Sequence, residues 1–231
     1  MAPKVLVVLT SHDQLGDTGR KTGWYLSEFA HPYHEFQAAG IEVTVASPLG
    51  GAAPLDPSSI DAAKDDSVSV AFLEGSKDLW ASTTKLSTLL ETDAASQFDA
   101  IFYPGGHGPV FDLPVDAASQ ALISQFASQG KVVAAVCHGP AVFANVTLPS
   151  GEHLVKGKAV TGFSNAEEEQ IGLSKAVPFL VEDKLVEAGA TYSKADELWG
   201  AKVVVDGKLI TGQNPASAKG VGEAIVKAIS A

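Results

Sequence analysis

Val132-Val133-Ala134-Ala135-Val136-Cys137-His138-Gly139-Pro140-Ala141 is an apolar run of strand type that stops at a cysteine, then a histidine, then Gly-Pro and a helix-like segment. A strand that ends abruptly at a nucleophile and enters a helix places that side chain on a tight, exposed turn, the geometry used by G-x-S-x-G hydrolases. It also brings the sulfur near a helix N-terminus, where the macrodipole and free N–H groups favour a thiolate. Cys137 is the only cysteine of the chain. A lone cysteine after a strand is otherwise a core residue, since free Cys is among the most buried types. The adjoining His138 and the Gly105-Gly106-His107-Gly108 segment favour a functional role.

Outward from this stretch, strands alternate with helices. Lys4–Thr10, Ile41–Ala46, Ala100–Tyr103, Lys131–Val136 and Lys158–Thr161 read as short apolar strands. Trp24–Ala39, Asp116–Ser128 and Pro178–Ala188 read as helices stopped by Gly40, Gly130 and Gly189. Pro32 predicts a kink or break near His31. Ser47–Asp66, with its glycines and prolines, reads as a long loop packed over the surface or into a partner. Leu79–Phe98 is compatible with one or two short helices. Asp206-Gly207 between Val203–Val205 and Leu209–Thr211 predicts a hairpin. Asn214-Pro215 predicts an N-cap and first turn for the last helix. The pattern predicts an α/β fold: a mostly parallel sheet covered on both faces, with one late antiparallel hairpin. In such sheets ligands bind outside the carboxyl ends of the strands, where the loop after the first strand, the Gly-Gly-His-Gly turn and the Cys137 elbow all lie.

The chain has 231 residues, 45% of them hydrophobic and 19% charged, which is a globular composition long enough for a full core. No linker, repeat or low-complexity tract divides it. A formal net charge of −11 without a basic cluster argues against nucleic acid and anionic membrane surfaces. One cysteine excludes an intrachain disulfide and fits a reducing compartment. No apolar run approaches a membrane span, and the first strand leads into Thr10-Ser11-His12-Asp13 rather than a cleavage site. A cytoplasmic address is the expectation, with the nucleus also open.

The chemistry-bearing residues follow from type and position. A Cys137 thiol of ordinary pKa ~8.5 is only a few per cent ionised at neutral pH, so partners that lower the pKa would make it reactive. Glycine N–H groups at 105–108 can receive developing negative charge. Their spacing is not that of a dinucleotide fingerprint. Glu28, one turn before His31-Pro32, could share a proton with the sulfur or act as a base; otherwise it is a solvated helix carboxylate. Glu167-Glu168-Glu169 reads as the acidic start of a helix, and one of the three could orient His138. His31-x-x-His34-Glu35 lacks the His-Glu-x-x-His pattern, and Pro32 disturbs its helix, so no metal is expected there.

Val-Cys-His-Gly-Pro-Ala at 136–141, Gly-His-Gly at 106–108, Lys-Thr-Gly at 21–23 with Glu28 and His31-Pro32, Thr-Gly-Phe at 161–163 and Thr-Gly-x-Asn-Pro-Ala-Ser-Ala at 211–218 resemble the ThiJ/PfpI superfamily. Within it they resemble the heat-inducible chaperone branch that includes the glutathione-independent glyoxalases (glyoxalase III), and the Met1-Ala2-Pro3-Lys4 start resembles fungal members. The resemblance runs over nearly the whole chain in order.

It implies a flavodoxin-like three-layer sandwich and one ThiJ/PfpI-type (class I glutamine amidotransferase-like) domain over residues 1–231, usually dimeric. It implies a catalytic triad of Cys137, His138 and, counting five residues from Phe163, Glu168. Glu28 matches the glutamate that contacts the family cysteine, the backbone of Gly106 and His107 the oxyanion region, and Trp199 a tryptophan at the pocket rim. The residues after Trp199, Gly-Ala-Lys, depart from the acidic residues common in relatives. The implied activity is a cofactor-free, lactate-forming lyase of methylglyoxal detoxification acting through a Cys137 hemithioacetal, with Glu28 or His138 taking the carbon-bound proton. Metal, thiol cofactor and nicotinamide are not required. The alternatives are a stress-response holdase for unfolded clients, a protein deglycase, and a cysteine amidase or peptidase.

Overall fold

The structure is a computed structural model, and it describes residues 2–230; Met1 and Ala231 lie outside it. In chain order the elements are β1 (Lys4–Val8), α1 (Leu26–Ala38), β2 (Glu42–Ser47), α2 (Pro57–Ala62), α3 (Ser67–Gly75), α4 (Asp78–Ala81), β3 (Thr84–Lys85), α5 (Leu86–Glu91), α6 (Ala94–Gln97) and β4 (Ala100–Tyr103). There follow α7 (Pro109–Asp112), α8 (Ala117–Ser128), β5 (Val132–Val136), β6 (Ala159–Val160), α9 (Asn165–Gln170), α10 (Val181–Glu187), β7 (Thr191–Tyr192), β8 (Val203–Asp206), β9 (Leu209–Gly212) and α11 (Ala218–Ser230).

Seven strands form one sheet in the order β3-β2-β1-β4-β5-β9-β8, parallel except for the edge pair β8–β9. The apolar runs are continuous because both faces are covered, and their period of two divides the core. Val5, Val7, Ala100, Phe102, Val132 and Ala134 face one layer with Phe29, Phe36, Val221 and Ile225. Leu6, Val8, Ile101, Tyr103, Val133 and Ala135 face the other with Leu122, Ile123, Phe126 and Phe143. This is the expected α/β sandwich. The strand order reverses between β1 and β4, so the crevice for a ligand opens at their carboxyl ends, flanked by β5.

Several local expectations need correction. Helix α1 runs unbroken through Pro32. Proline supplies no N–H for the carbonyl four residues earlier, that of Glu28. The ring is nevertheless buried against α11, where Gly222 comes so close that a Cβ there would lie 2.7 Å from Pro32 Cα. Ser47–Asp66, expected to be loop-rich, also holds α2, which Asp56 caps by accepting from the Ser58 N–H, and Trp24 bridges Leu55 in parallel. Leu79–Phe98 holds three short helices and the two-residue edge strand β3. The 158–161 strand pairs with β7 in a separate two-stranded sheet. The hairpin turn sits one residue later than expected, on Gly207-Lys208, with Gly207 at φ +63°. Asp116, read as the first residue of its helix, instead caps α8, accepting from Ser119 N–H at 2.7 Å. Asn214 caps nothing with its side chain; it donates to Glu167 Oε1 at 2.8 Å instead.

Candidate active site

The β5 strand ends on Cys137 at φ +61°, in the left-handed region that non-glycine residues avoid. That conformation costs roughly 1–2 kcal/mol. Backbone bonds on both sides over-determine it: Cys137 N–H donates to Gly212 O at 2.9 Å, and Phe163 N–H donates to Cys137 O at 2.8 Å. The elbow is therefore real. The segment beyond it, Gly139–Asn145, is a 3₁₀ helix rather than the expected α-helix, which weakens the macrodipole argument for a thiolate.

The turn after β4 carries Gly105 and Gly106. A Cβ on Gly105 would meet Val136 O at 2.6 Å and both Glu28 Oε2 and His138 N at 2.7 Å. Gly106 sits at φ +92° with Gly23 O where a Cβ would be, 2.4 Å away. Only glycine lets this turn, the loop after β1 and the elbow close on one another.

Two side chains, those of His138 and Glu28, meet at the sulfur. His138 Nδ1 lies 3.4 Å from Cys137 Sγ, and its Nε2–H donates to Glu168 Oε2 at 2.6 Å. Because ionised Glu168 only accepts, the second nitrogen of His138 is a lone pair facing the thiol. The backbone N–H groups of Gly106 and His138 are directed at the same sulfur. Glu28 is fully buried; its Oε2 accepts from Gly105 N–H at 2.8 Å. Its Oε1 makes no well-formed hydrogen bond among the described residues, and the carboxyl lies against the Cys137 thiol.

The electrostatics differ from the expectation of a resting thiolate. Burial pushes the Glu28 carboxyl up to about 8. Burial, followed by the Glu28 charge and hydrogen bond, pushes the Cys137 thiol well above its ordinary value, against the two backbone N–H groups that lower it. The pair thus favours holding protons at neutral pH. Burial, with the neighbouring His107, depresses His138 to about 4, against the opposing pull of Glu168. Glu168, despite its burial, is held well below the usual carboxylate range by its hydrogen bonds to His107 and His138.

All of the sequence-derived site residues converge here. Among the three glutamates, Glu168 reaches His138. Glu167 completes a capping box with Ser164 and also accepts from Gln213 and Asn214 side chains, while Glu169 accepts from Ser174. Trp199 packs its ring 5.7 Å from Phe163, which stacks on His138 at 4.2 Å. A cavity of about 230 Å³ is lined by Tyr25, Gly106, His107, Cys137, Phe163 and Trp199, among others. Sequence reasoning missed the His107 imidazole, whose Nε2–H donates to Glu168 Oε1 at 2.9 Å, and the wall residue Tyr25. The Gly-Gly-His-Gly turn marks His107 only for its backbone, and nothing local marks Tyr25; both side chains are placed by the β1–β4 crevice.

His107, His138 and Glu168 have metal-like spacing. Both carboxylate oxygens are already occupied by imidazole N–H groups at hydrogen-bond distance, so the set is explained as a proton-bonded cluster. His31 bonds to Asp66 at 2.8 Å rather than joining His34 in a metal pair.

The chain is similar to known proteins over its full length. It is 34% identical to Glyoxalase 3 of Candida albicans, over 97% of this chain and 98% of that protein. It is 35% identical to glutathione-independent glyoxalase HSP31 of Saccharomyces cerevisiae, over 94% of each. The crystal structure of the Rapid Encystment Protein of Francisella tularensis superposes with a TM-score of 0.91 at 39% identity, covering 98% of this chain and 99% of that one. Residues 21–228 match the model of the DJ-1/PfpI family, and that span contains Glu28, the β4 turn, the Cys137 elbow and Glu168. With the sheet order, the strained elbow and these full-length similarities in agreement, the chain belongs to the DJ-1/PfpI family.

Proposed function

We propose that this protein is a glutathione-independent glyoxalase that converts methylglyoxal and water to lactate, with residues 1–231 acting as one domain. The observation that carries the reading is a strained, buried cysteine facing a carboxyl and an oriented imidazole in one small cavity. At about 230 Å³ that cavity is smaller than the ~300–1,000 Å³ of pockets for drug-sized ligands, which suits a three-carbon dicarbonyl better than a polypeptide. The similarity to proteins named as glutathione-independent glyoxalases supports it.

Cys137 Sγ attacks the aldehyde carbon and its proton passes to His138 Nδ1, 3.4 Å away, giving a hemithioacetal. The buried carboxyl of Glu28 serves as a proton reservoir beside the sulfur. The Gly106 and His138 N–H groups stabilise negative charge on the adduct. A base then removes the proton on the former aldehyde carbon to give an enediol. Reprotonation at the neighbouring carbon gives a thioester, and water releases lactate and the thiol. The aldehyde carbon is oxidised while the ketone carbon is reduced, so no external redox partner enters. Phe163 and Trp199 shield the intermediate from solvent.

Thiol-free, metal-chelated protein is expected to consume methylglyoxal and release lactate, and folded Cys137→Ala is expected to release none. No lactate from the wild type, or wild-type turnover by Cys137→Ala, would overturn the reading. Amine release from a peptide panel would support an amidase instead. No described helix is long and apolar enough to cross a membrane. A cytoplasmic homodimer is part of the proposal, supported by the exposed Leu49 and Val115 at the rim of one groove. Light scattering is expected to give twice the 23.8 kDa chain mass; the chain mass itself would refute the dimer.

A further inference from the structure

The cavity holds one proton acceptor to which the scheme above gives no work. Glu168 divides its carboxylate between two imidazoles, Oε2 on His138 and Oε1 on His107, whose rings lie 4.1 Å apart. An ionised carboxylate can only accept, so each ring donates from Nε2 and presents a lone pair on Nδ1. The two lone pairs differ in what they face. That of His138 is 3.4 Å from the sulfur. That of His107 has no hydrogen-bond partner among the described residues, and the ring, the more exposed of the two, lines the cavity beside Cys137. Gly106 at φ +92° fixes the turn that aims it.

Resting on the glyoxalase reading, we propose that His107 Nδ1 is the base that takes the carbon-bound proton of the Cys137 hemithioacetal and returns it to the neighbouring carbon. The alternatives are placed otherwise: Glu28 is fully buried with Oε2 on Gly105 N–H, and His138 is engaged by Glu168 and the sulfur. Burial also keeps Glu28 protonated at neutral pH. In the first half-step the C–H bond at the former aldehyde carbon breaks, its electron pair forms the enediol double bond, and the proton moves to Nδ1. The resulting imidazolium sits against the Glu168 carboxylate, which stabilises it. In the second half-step Nδ1–H protonates the neighbouring carbon. The protonated Glu28 carboxyl gives its proton to the former ketone oxygen as the enediol forms, and it is reprotonated by the hydroxyl on the sulfur-bearing carbon as that carbon becomes a thioester carbonyl.

His107→Gln tests this, because a glutamine amide can still donate to Glu168 but has no basic nitrogen. The expected result is a fall in kcat of ~10²–10⁴-fold, the usual contribution of a positioned acid–base group. The rate of Cys137 alkylation by iodoacetamide should stay within about threefold of wild type, since the thiol and its contacts are untouched. In His107→Ala, added imidazole should restore part of the lost turnover. Wild-type enzyme given methylglyoxal deuterated at the aldehyde carbon should place part of the deuterium at C2 of lactate. The assignment is overturned if His107→Gln keeps kcat within about threefold of wild type. It is also overturned if alkylation falls in parallel with kcat, if imidazole rescues nothing, or if the wild-type lactate carries no deuterium at C2. A wild-type protein that makes no lactate overturns the glyoxalase reading, and the assignment with it.

Discussion

Gly105 donates its backbone N–H to Glu28 Oε2 at 2.8 Å, and the space where its Cβ would stand is filled by that same oxygen, 2.7 Å away. The end of β4 and the helix carboxyl are thus fitted to each other without slack. Gly105→Ala must push Glu28 off the sulfur or move the backbone of Val136 and His138. Rigid backbone neighbours make this overpacking, at a cost of about 1–3 kcal/mol. Denaturant unfolding is expected to show that loss together with a loss of turnover. Wild-type activity in Gly105→Ala would show that the Glu28 position is not critical.

Glu28→Gln separates charge from shape. The amide keeps an oxygen for Gly105 N–H and a polar group beside the sulfur, but it carries no charge. In the wild type the Glu28 charge and hydrogen bond both push the Cys137 thiol up. The variant's thiol is therefore expected to ionise at lower pH, as read from ultraviolet thiolate absorbance of the only cysteine. Turnover is expected to fall even so, because glutamine has no proton to pass. A thiol titration that does not move, or moves upward, contradicts the coupling.

Two adjacent glutamates make a sharper comparison. Glu168 touches only the two imidazoles, whereas Glu167 accepts from Ser164, Gln213, Asn214 and the Trp199 N–H. Glu167→Gln would turn an N–H₂ group toward several donors, costing about 1–3 kcal/mol for each acceptor lost. Glu168→Gln is expected to lose kcat together with the stability its ionised carboxylate supplies at neutral pH, and Glu167→Gln to lose stability while keeping kcat nearer wild type. Stability and kcat measured for both variants decide it; the reverse pattern would exchange their roles.

The elbow was legible because its signals are local: a β-type run, a lone cysteine, then Gly139-Pro140. The same holds for the Val203–Thr211 hairpin. Glu168 was legible only through the family spacing from Phe163, since three consecutive carboxylates offer no local distinction. Two things were not legible. Pro32 announced a break because the rule counts backbone bonds, whereas its packing on Gly222 is set by a helix nearly two hundred residues away. The protonated character of the Cys137 site also escaped, because thiolate stabilisation by a turn is a local effect and burial beside Glu28 is a tertiary one.

The stability of the protein against pH follows from two buried groups with opposing slopes. His138 is depressed to about 4 from its ordinary 6.5, so between those values the unfolded chain binds more protons and stability falls as pH falls. Glu28 is raised to about 8 from its ordinary 4.5, so between those values the folded protein binds more protons and stability falls as pH rises. Each slope is about 1.4 kcal/mol per pH unit where it acts alone. From about 4.5 to 6.5 they oppose each other, which predicts a plateau. Above the plateau Glu28 alone drives a decline up to about 8. Below it the decline comes from His138 and from Glu168, whose depressed carboxyl loses its stabilising contribution on protonation. Glu28→Gln is therefore expected to lose stability only on the acid side, with a flat profile above about 6.5. His138→Gln is expected to decline steadily from about 4.5 to 8. Chemical denaturation at a series of pH values reads both. A wild-type profile that stays flat between pH 6.5 and 8 would show that Glu28 is ionised in the folded protein, removing its role as a proton reservoir beside Cys137.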